Sequence, residues 1–464
     1  MQIIEVLLYV YGFIMVGLLM MKPQLKKNSI FILFGFFWLT LALHVFIGHI
    51  RWQLYPLYFA VFLLLIMVMF QHFKKTPKTH FVLKGLLGIA LVSLIASIIS
   101  VIIFPVYAVP TPSGPYLIGT ESFVIEDQSR IEIYGNETGD IRKFKIQLWY
   151  PAETIDGYER APWLEDGIDI ARGLSQDNGL PFFVLDHTAT ILSNAYLSAP
   201  ISNAIDDYPV VIISHGWRGF RNLHTDMAEE LASIGYIVVA VDHTYGSVAT
   251  VINDTVIYLD KSALPWRDTT PDFLEYANRL VNTYASDIIT TLDFLEVMNQ
   301  DAYSRFSQSM DLTTIGLLGH STGGGASVTV ALSDARIDAI IGFDAWVEPI
   351  KETEIINGLN IPVLFLRSET WETGPNNITL KSLIESSSYT PQLYQIDGTT
   401  HTDFTMIYMY SPLTKVIGFS GDLDGEYLNI MLKHMVTDFF DKTLRNFSNS
   451  ELDHEQWQEV KPVQ

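Results

Sequence analysis

An α/β domain with a doubly wound sheet, preceded by four transmembrane helices, is the fold class this sequence predicts. Three observations carry it: four long apolar runs in the first quarter, an abrupt change of charge after them, and short Val/Ile-rich runs alternating with helix-period segments in the rest.

The apolar runs are Ile3–Met21, Ser29–Ile50, Leu54–Phe70 and Gly85–Tyr107. Each suits a bilayer core, which takes about 20 apolar residues of helix. One such run can be a buried helix of a soluble protein, but four in succession, nearly free of charge, fit that reading poorly. The first run lacks a basic leader and a small-residue cleavage site, so it reads as retained. Lys22, Lys26 and Lys27 follow the first run, and Lys74, Lys75, Lys78 and Lys84 follow the third. The positive-inside bias puts both loops in the cytoplasm. The short link Arg51–Gln53 then lies outside, as does everything after Tyr107. The expected organisation is a multi-pass membrane anchor over 1–108, a Pro/Gly-rich linker over 109–115 and an extracytoplasmic domain over 116–464. Trp38, Trp52, Tyr55 and Tyr58 are placed to act as interfacial anchors or to pack between helices. Glu5 is the one carboxylate in the runs, with His44 and His49 near the outer end of the second. A transporter would carry more ionisable or helix-breaking groups at mid-bilayer, so an anchor is the economical reading.

Residues 1–110 hold eight Lys or Arg and one acid, leaving 21 basic and 50 acidic residues for the remainder of a chain of net charge −22. So acidic a domain disfavours nucleic acid as a partner. The absence of cysteine excludes disulfides, thiolate metal sites and a Cys nucleophile.

In the second part, Ile146–Trp149, Pro209–Ser214, Tyr236–Val241, Thr313–Leu318, Asp338–Phe343, Pro362–Leu366 and Gln392–Ile396 read as strands, most of them buried on both faces. Leu223–Ile234, Phe273–Met298, Gly323–Leu332 and Leu428–Phe440 read as helices. Active sites of such sheets lie beyond the carboxyl ends of the strands. The insertions Glu153–Asp207 and Tyr245–Asp311, with Trp163, Phe182, Phe183, Tyr245 and Trp266, are placed to form a lid or acyl-binding wall, or simply to pack under loops.

Gly319-His320-Ser321-Thr322-Gly323 follows one of these strands and opens a helix. This is the G-x-S-x-G nucleophile elbow of α/β-hydrolases in its expected context, and it makes Ser321 the candidate nucleophile. The base follows the nucleophile in this fold. Of the three later histidines, His434 lies in the last helix and His454 in a polar tail, whereas His401 sits on a loop after a strand. His401 is therefore the expected base. For the acid, Asp344 and Glu369 both lie at strand carboxyl ends, and Asp301, Asp311 and Asp397 are less well placed. The oxyanion hole should use the amides of Thr322 and of Trp217, where Gly216 permits close approach; His215 is expected to orient that loop.

The segments Ser214–Arg221, Leu231–His243, Gly319–Gly324 and Phe343–Trp346 resemble the platelet-activating-factor acetylhydrolases of the plasma and intracellular type II kind. The likeness runs from about Phe144 to about Phe404 and leaves out the apolar runs. It implies hydrolysis of short or oxidised sn-2 acyl esters of phospholipids without metal or cofactor. It also implies Asp344 as the acid, His401 as the base, and Trp217 and Thr322 as oxyanion donors. Thr322 replaces the family's aromatic. The rival readings are a transporter or sensor with an inactive hydrolase-like ectodomain, or a peptidase or acyltransferase on the same fold. For the topology, a reporter fused after Lys78 should read cytoplasmic and one fused after Pro115 external; the reverse pattern rejects the orientation.

Overall fold

Pro105 decides where the helical first part ends. The computed structural model describes residues 3–21, 27–47, 50–70, 77–135, 139–447 and 456–463; Lys22, Lys26, His49, Lys74, Lys75 and His454 lie outside them. Helices α1 (Ile3–Met21), α2 (Lys27–Ile47), α3 (Tyr55–Phe70) and α4 (Pro77–Ile103) come first. All four, with the turn Trp52–Leu54 counted into the third, are long and apolar enough to cross a membrane. The fourth run was expected to continue to Tyr107, but α4 stops at Ile103. Pro105 cannot donate to a helix and drives the residue before it toward extended backbone.

The link between α2 and α3 is tied into the bundle through Arg51. Arg51 is buried, donating from Nε and Nη2 to Glu5 Oε1 (3.2 Å) and Oε2 (2.7 Å). His44 Nε2 lies 3.7 Å from the same carboxylate, and its Nδ1 lies 3.1 Å from the Tyr58 hydroxyl. Tyr9 and Ser97 hydroxyls meet at 2.7 Å, and Ser97 donates to the Gln53 carbonyl. Trp38 and Tyr55 are exposed on the bundle surface.

The remainder forms an 11-stranded mixed sheet. Its strands are β1 (Leu117–Ile131), β2 (Ile141–Ala152), β3 (Arg160–Pro162), β4 (Leu192–Leu197), β5 (Tyr208–Ser214) and β6 (Ile237–Asp242). A separate hairpin, β7 (Ala249–Ile252) and β8 (Thr255–Tyr258), precedes β9 (Met310–His320), β10 (Ala339–Phe343), β11 (Val363–Ser368), β12 (Gln392–Ile396) and β13 (Val460–Pro462). The order is β13-β12-β11-β10-β9-β5-β6-β2-β1-β4-β3. From β12 to β6 every pairing is parallel, and β2 turns the sheet antiparallel. The central strands alternate between two cores. Val210 and Ile212 join one with helix α7 (Phe273–Gln300), while Val211 and Ile213 join the other with α6 (Thr225–Ser233) and α11 (Gly425–Leu444). Helices therefore cover both faces, as a doubly wound sheet requires. The early strand proves longer than Ile146–Trp149, and β1, β3, β4 and β13 went unforeseen. β1 (LIGTESFVIEDQSRI) is half polar and only partly buried, so it lacks the apolar run by which the central strands are read.

Part of the first insertion packs against the body of the domain. Trp163 is buried, its indole donating to the Asn222 carbonyl at 2.9 Å, and β3 and β4 extend the sheet edge. Trp266 is exposed. The segment read as a linker is tied down: Ser113 binds Glu230, Gly114 N–H donates to Ser233 Oγ (3.0 Å), and Asn194 Nδ2 donates to the Pro110 carbonyl (3.1 Å).

One buried ion network bolts the antiparallel edge to α7. Asp287 receives Arg142 Nε (3.1 Å) and Nη2 (2.7 Å) from β2 and Arg130 Nη2 (2.8 Å) from β1. Burial alone would raise the Asp287 carboxyl, but the Arg142 charge prevails and holds it far below the usual range. Its contribution is full above the unfolded carboxylate value and is lost as pH falls toward the folded one. Asp287→Asn should lower unfolding free energy at neutral pH by about 3–5 kcal/mol, measured by denaturant titration in detergent. The gap between the two proteins should narrow below about pH 4.

Candidate active site

The elbow is shaped by what cannot fit there. A Cβ on Gly319 would collide with the carbonyl of Gly323, and one on Gly323 with the carbonyl of Ser214. Ser321 lies between them with φ 53° and ψ −117°, a conformation few non-glycine residues adopt. Three backbone bonds hold it: its N–H donates to the Phe343 carbonyl (2.9 Å), and its carbonyl accepts from Gly325 (3.1 Å) and Trp346 (2.9 Å). Helix α8 (Thr322–Ser333) starts at the next residue.

His401 lies on a turn after β12. Its Nδ1 is 2.9 Å from Asp344 Oδ2, so the ring's Nδ1–H donates and Nε2 is left with the lone pair. Asp344 follows β10, is buried, and has φ 42°. Its carboxylate also accepts from Ser368 N–H (2.7 Å) and Ser368 Oγ–H (2.6 Å) at the end of β11. Glu369 does not reach the imidazole. It accepts from Gly398 N–H at 2.7 Å and thereby holds the loop that carries His401. His434 pairs with Asp438 in α11, and Asp397 with Lys461. Among the described residues no hydrogen bond joins Ser321 Oγ to His401, a contact that commonly tightens only with substrate.

Two side chains that the sequence did not flag pack on the imidazole. Trp371 stacks on it with ring centroids 4.3 Å apart and planes within 5°. His320 lies 4.6 Å away and donates Nε2–H to the His401 carbonyl (2.9 Å). Burial and the neighbouring His401 charge push His320 well below the usual histidine range, so it stays neutral when His401 takes a proton. No spacing rule points to Trp371 or Ser368. They reach the site through the fold alone.

The loop after β5 faces the elbow, and a Cβ on Gly216 would lie 2.9 Å from that of Ser321. Trp217 N–H is 3.3 Å from Thr322 Oγ1. As the first residue of α8, Thr322 has an N–H outside the helix's own bonding. His215 Nε2 accepts from the His243 N–H (3.4 Å), which leaves Nδ1–H to donate to the Gly216 carbonyl (2.7 Å). Burial lowers His215 to about 3, so the ring remains a neutral strut. Behind it runs a second Asp–His–Ser array: Asp287 Oδ2 to His243 Nδ1 (3.0 Å), and His243 Nε2 to Ser214 Oγ (2.9 Å). All three residues are fully buried, so this array holds the end of β5 and meets no substrate.

Ser321 and His401 line one cavity of about 230 Å³ with Trp217, Ile407, Tyr410 and Phe419. One wall comes from helix α5 (Gly167–Asp177) through Leu174 and Asp177. Asp177 is held there by Arg218 (2.5 Å).

Residues 101–462 match the family described as platelet-activating factor acetylhydrolase, isoform II. The platelet-activating factor acetylhydrolase of Gallus gallus is 22% identical over 374 residues, 73% of this chain and 84% of that protein. A probable 1-alkyl-2-acetylglycerophosphocholine esterase of Arthroderma benhamiae is 26% identical over 248 residues, 51% of this chain and 59% of that one. The structure of a ferulic acid esterase from Streptomyces cinnamoneus superposes with a TM-score of 0.61 at 23% identity, covering 77% of this chain and 100% of the other. That likeness is one of fold. With the α/β-hydrolase sheet, the family match over most of its length establishes that the chain belongs to the platelet-activating factor acetylhydrolase isoform II family and is a carboxylic ester hydrolase.

Proposed function

We propose that the chain is a membrane-anchored serine hydrolase that cleaves short-chain or sn-2 acyl phospholipid-like esters through an acyl-enzyme. The observation that carries this is the Asp344–His401 hydrogen bond at the rim of the cavity that holds Ser321. His401 Nε2 takes the proton of Ser321 Oγ as the oxygen attacks the ester carbonyl. The Trp217 and Thr322 amides donate to the resulting oxyanion, and His401 returns its proton to the leaving alcohol. Water then repeats the sequence on the acyl-enzyme. Asp344 keeps Nδ1 protonated and offsets the imidazolium charge, and the face of Trp371 favours that cation further. The lipid-like substrate class draws its support from the relatives named above, one named for platelet-activating factor and one for a 1-alkyl-2-acetylglycerophosphocholine.

Ser321→Ala should abolish both ester turnover and labelling by a fluorophosphonate, a loss of at least about a thousandfold. Unchanged turnover in that variant rejects the mechanism. For the acid, Asp344→Asn should reduce kcat by about a thousandfold or more, while Glu369→Gln should cost about tenfold or less by loosening the His401 loop. A larger loss from Glu369→Gln reverses the assignment.

A further inference from the structure

Among the described residues the bundle meets the catalytic part at Trp52. Trp52, in the turn before α3, donates Nε1–H to the Val184 carbonyl at 3.0 Å. Its ring stands edge-on to Phe183, with centroids 5.4 Å apart, and lies 5.5 Å from Phe104 at the end of α4. Gln53 Nε2 donates to the Phe104 carbonyl (3.1 Å), and Phe104 packs 5.9 Å from His187. Phe183 and Val184 lie just beyond α5, the helix that walls the cavity of Ser321. Val184 belongs to the same apolar core as Tyr410, which also lines the cavity, and Phe104, Val106 and Tyr107 pack onto that core.

From Tyr410 the chain continues into a segment that leaves large apolar side chains in the open. Val416 is 78% exposed and Ile417 63% exposed, while Phe419 both lines the cavity and is 40% exposed. Phe182, beside the clasped Phe183, is 62% exposed. Tyr107, just past α4, borders the same hollow as Ser411 and Thr414, so this lip too rises beside the exit of a helix. Such apolar side chains gain free energy by leaving water.

We propose that the clasp at Trp52 holds the mouth of the cavity against the bilayer that contains the chain's own helices, so that the substrate is a lipid ester drawn from that same bilayer. The inference rests on the serine-hydrolase and membrane-anchor reading above. The occupant of the exposed lips is the lipid surface, because both lips stand where helices long and apolar enough to span a membrane end. Presentation in cis replaces capture from solution with an effective concentration set by the tether.

The test uses the full chain reconstituted in phosphatidylcholine vesicles. The probes are a short-chain acyl ester of a two-chain lipid that cannot leave its vesicle, and soluble p-nitrophenyl acetate. Wild type should cleave the lipid ester at least about a hundredfold faster in its own vesicles than in separate ones. Trp52→Ala, Phe183→Ala and the pair Val416→Asp with Ile417→Asp should each lower cis cleavage about tenfold and change p-nitrophenyl acetate turnover by less than about twofold. Equal cis and trans rates overturn the proposal. So do unchanged cis rates in all variants, parallel losses on both esters, or losses that follow a change of oligomeric state. If wild type cleaves neither ester, or Ser321→Ala still cleaves p-nitrophenyl acetate, it is the hydrolase reading that fails.

Discussion

The carbonyl of Ser214 lies against the α-carbon of Gly323, and the site depends on that approach. It sets how near the end of β5 comes to the start of α8, and so puts the Gly216–Trp217 loop beside Ser321. The parallel pairing from β12 to β6 does the rest, because it delivers the carboxyl ends of successive strands to one edge. Trp217 arrives from β5, Ser321 from β9, Asp344 from β10 and His401 from β12. β11 supplies Ser368, and Trp371 follows it. These two contact Asp344 and His401 without belonging to any motif. The buried array of Asp287, His243 and Ser214 extends the same logic backwards, fixing β5 to α7 and to the antiparallel edge.

What could be read in advance follows from range along the chain. Ser321 was legible because the constraint on it is local: two glycines that sterics demand, a strand before and a helix after. His401 was legible as the candidate base because chain order in this fold puts the base after the nucleophile. Asp344 and Glu369 were not separable on residues alone, since both end strands. What divides them is a backbone turn at Asp344 with φ 42° that aims its carboxylate at the imidazole, while Glu369 reaches Gly398. The pairing of Arg51 was not legible, because its partner Glu5 lies 46 residues away. The stop at Ile103 was legible in Pro105, but the apolar run Phe104–Tyr107 outweighed it.

The polar cluster at one end of the bundle changes the picture of that part from a set of greasy rods to a specified assembly. Glu5, Arg51, His44 and Tyr58 connect α1, α2 and α3, and Ser97 adds α4 through Tyr9 and Gln53. Burying an ion pair is costly, and the best-attested use of such pairs is to fix register. Here the cluster sits next to Trp52, which touches the catalytic part at Val184, and Gln53, which ties that turn to Phe104 at the end of α4. Fixing the helices and fixing the contact above them are therefore one structural task.

The hydroxyl of Thr322 accepts the Trp217 N–H at 3.3 Å, and this has a consequence for selectivity along the reaction coordinate. In the proposed mechanism the incoming oxygen must take that donor from an oxygen that already holds it. A neutral ester carbonyl gains little by the exchange, since one neutral acceptor replaces another. An oxyanion gains more, because a charged acceptor makes a bond roughly twice as strong. The threonine thus acts as an incumbent that the ground state can barely displace and the tetrahedral species can, which concentrates the interaction where it lowers the barrier.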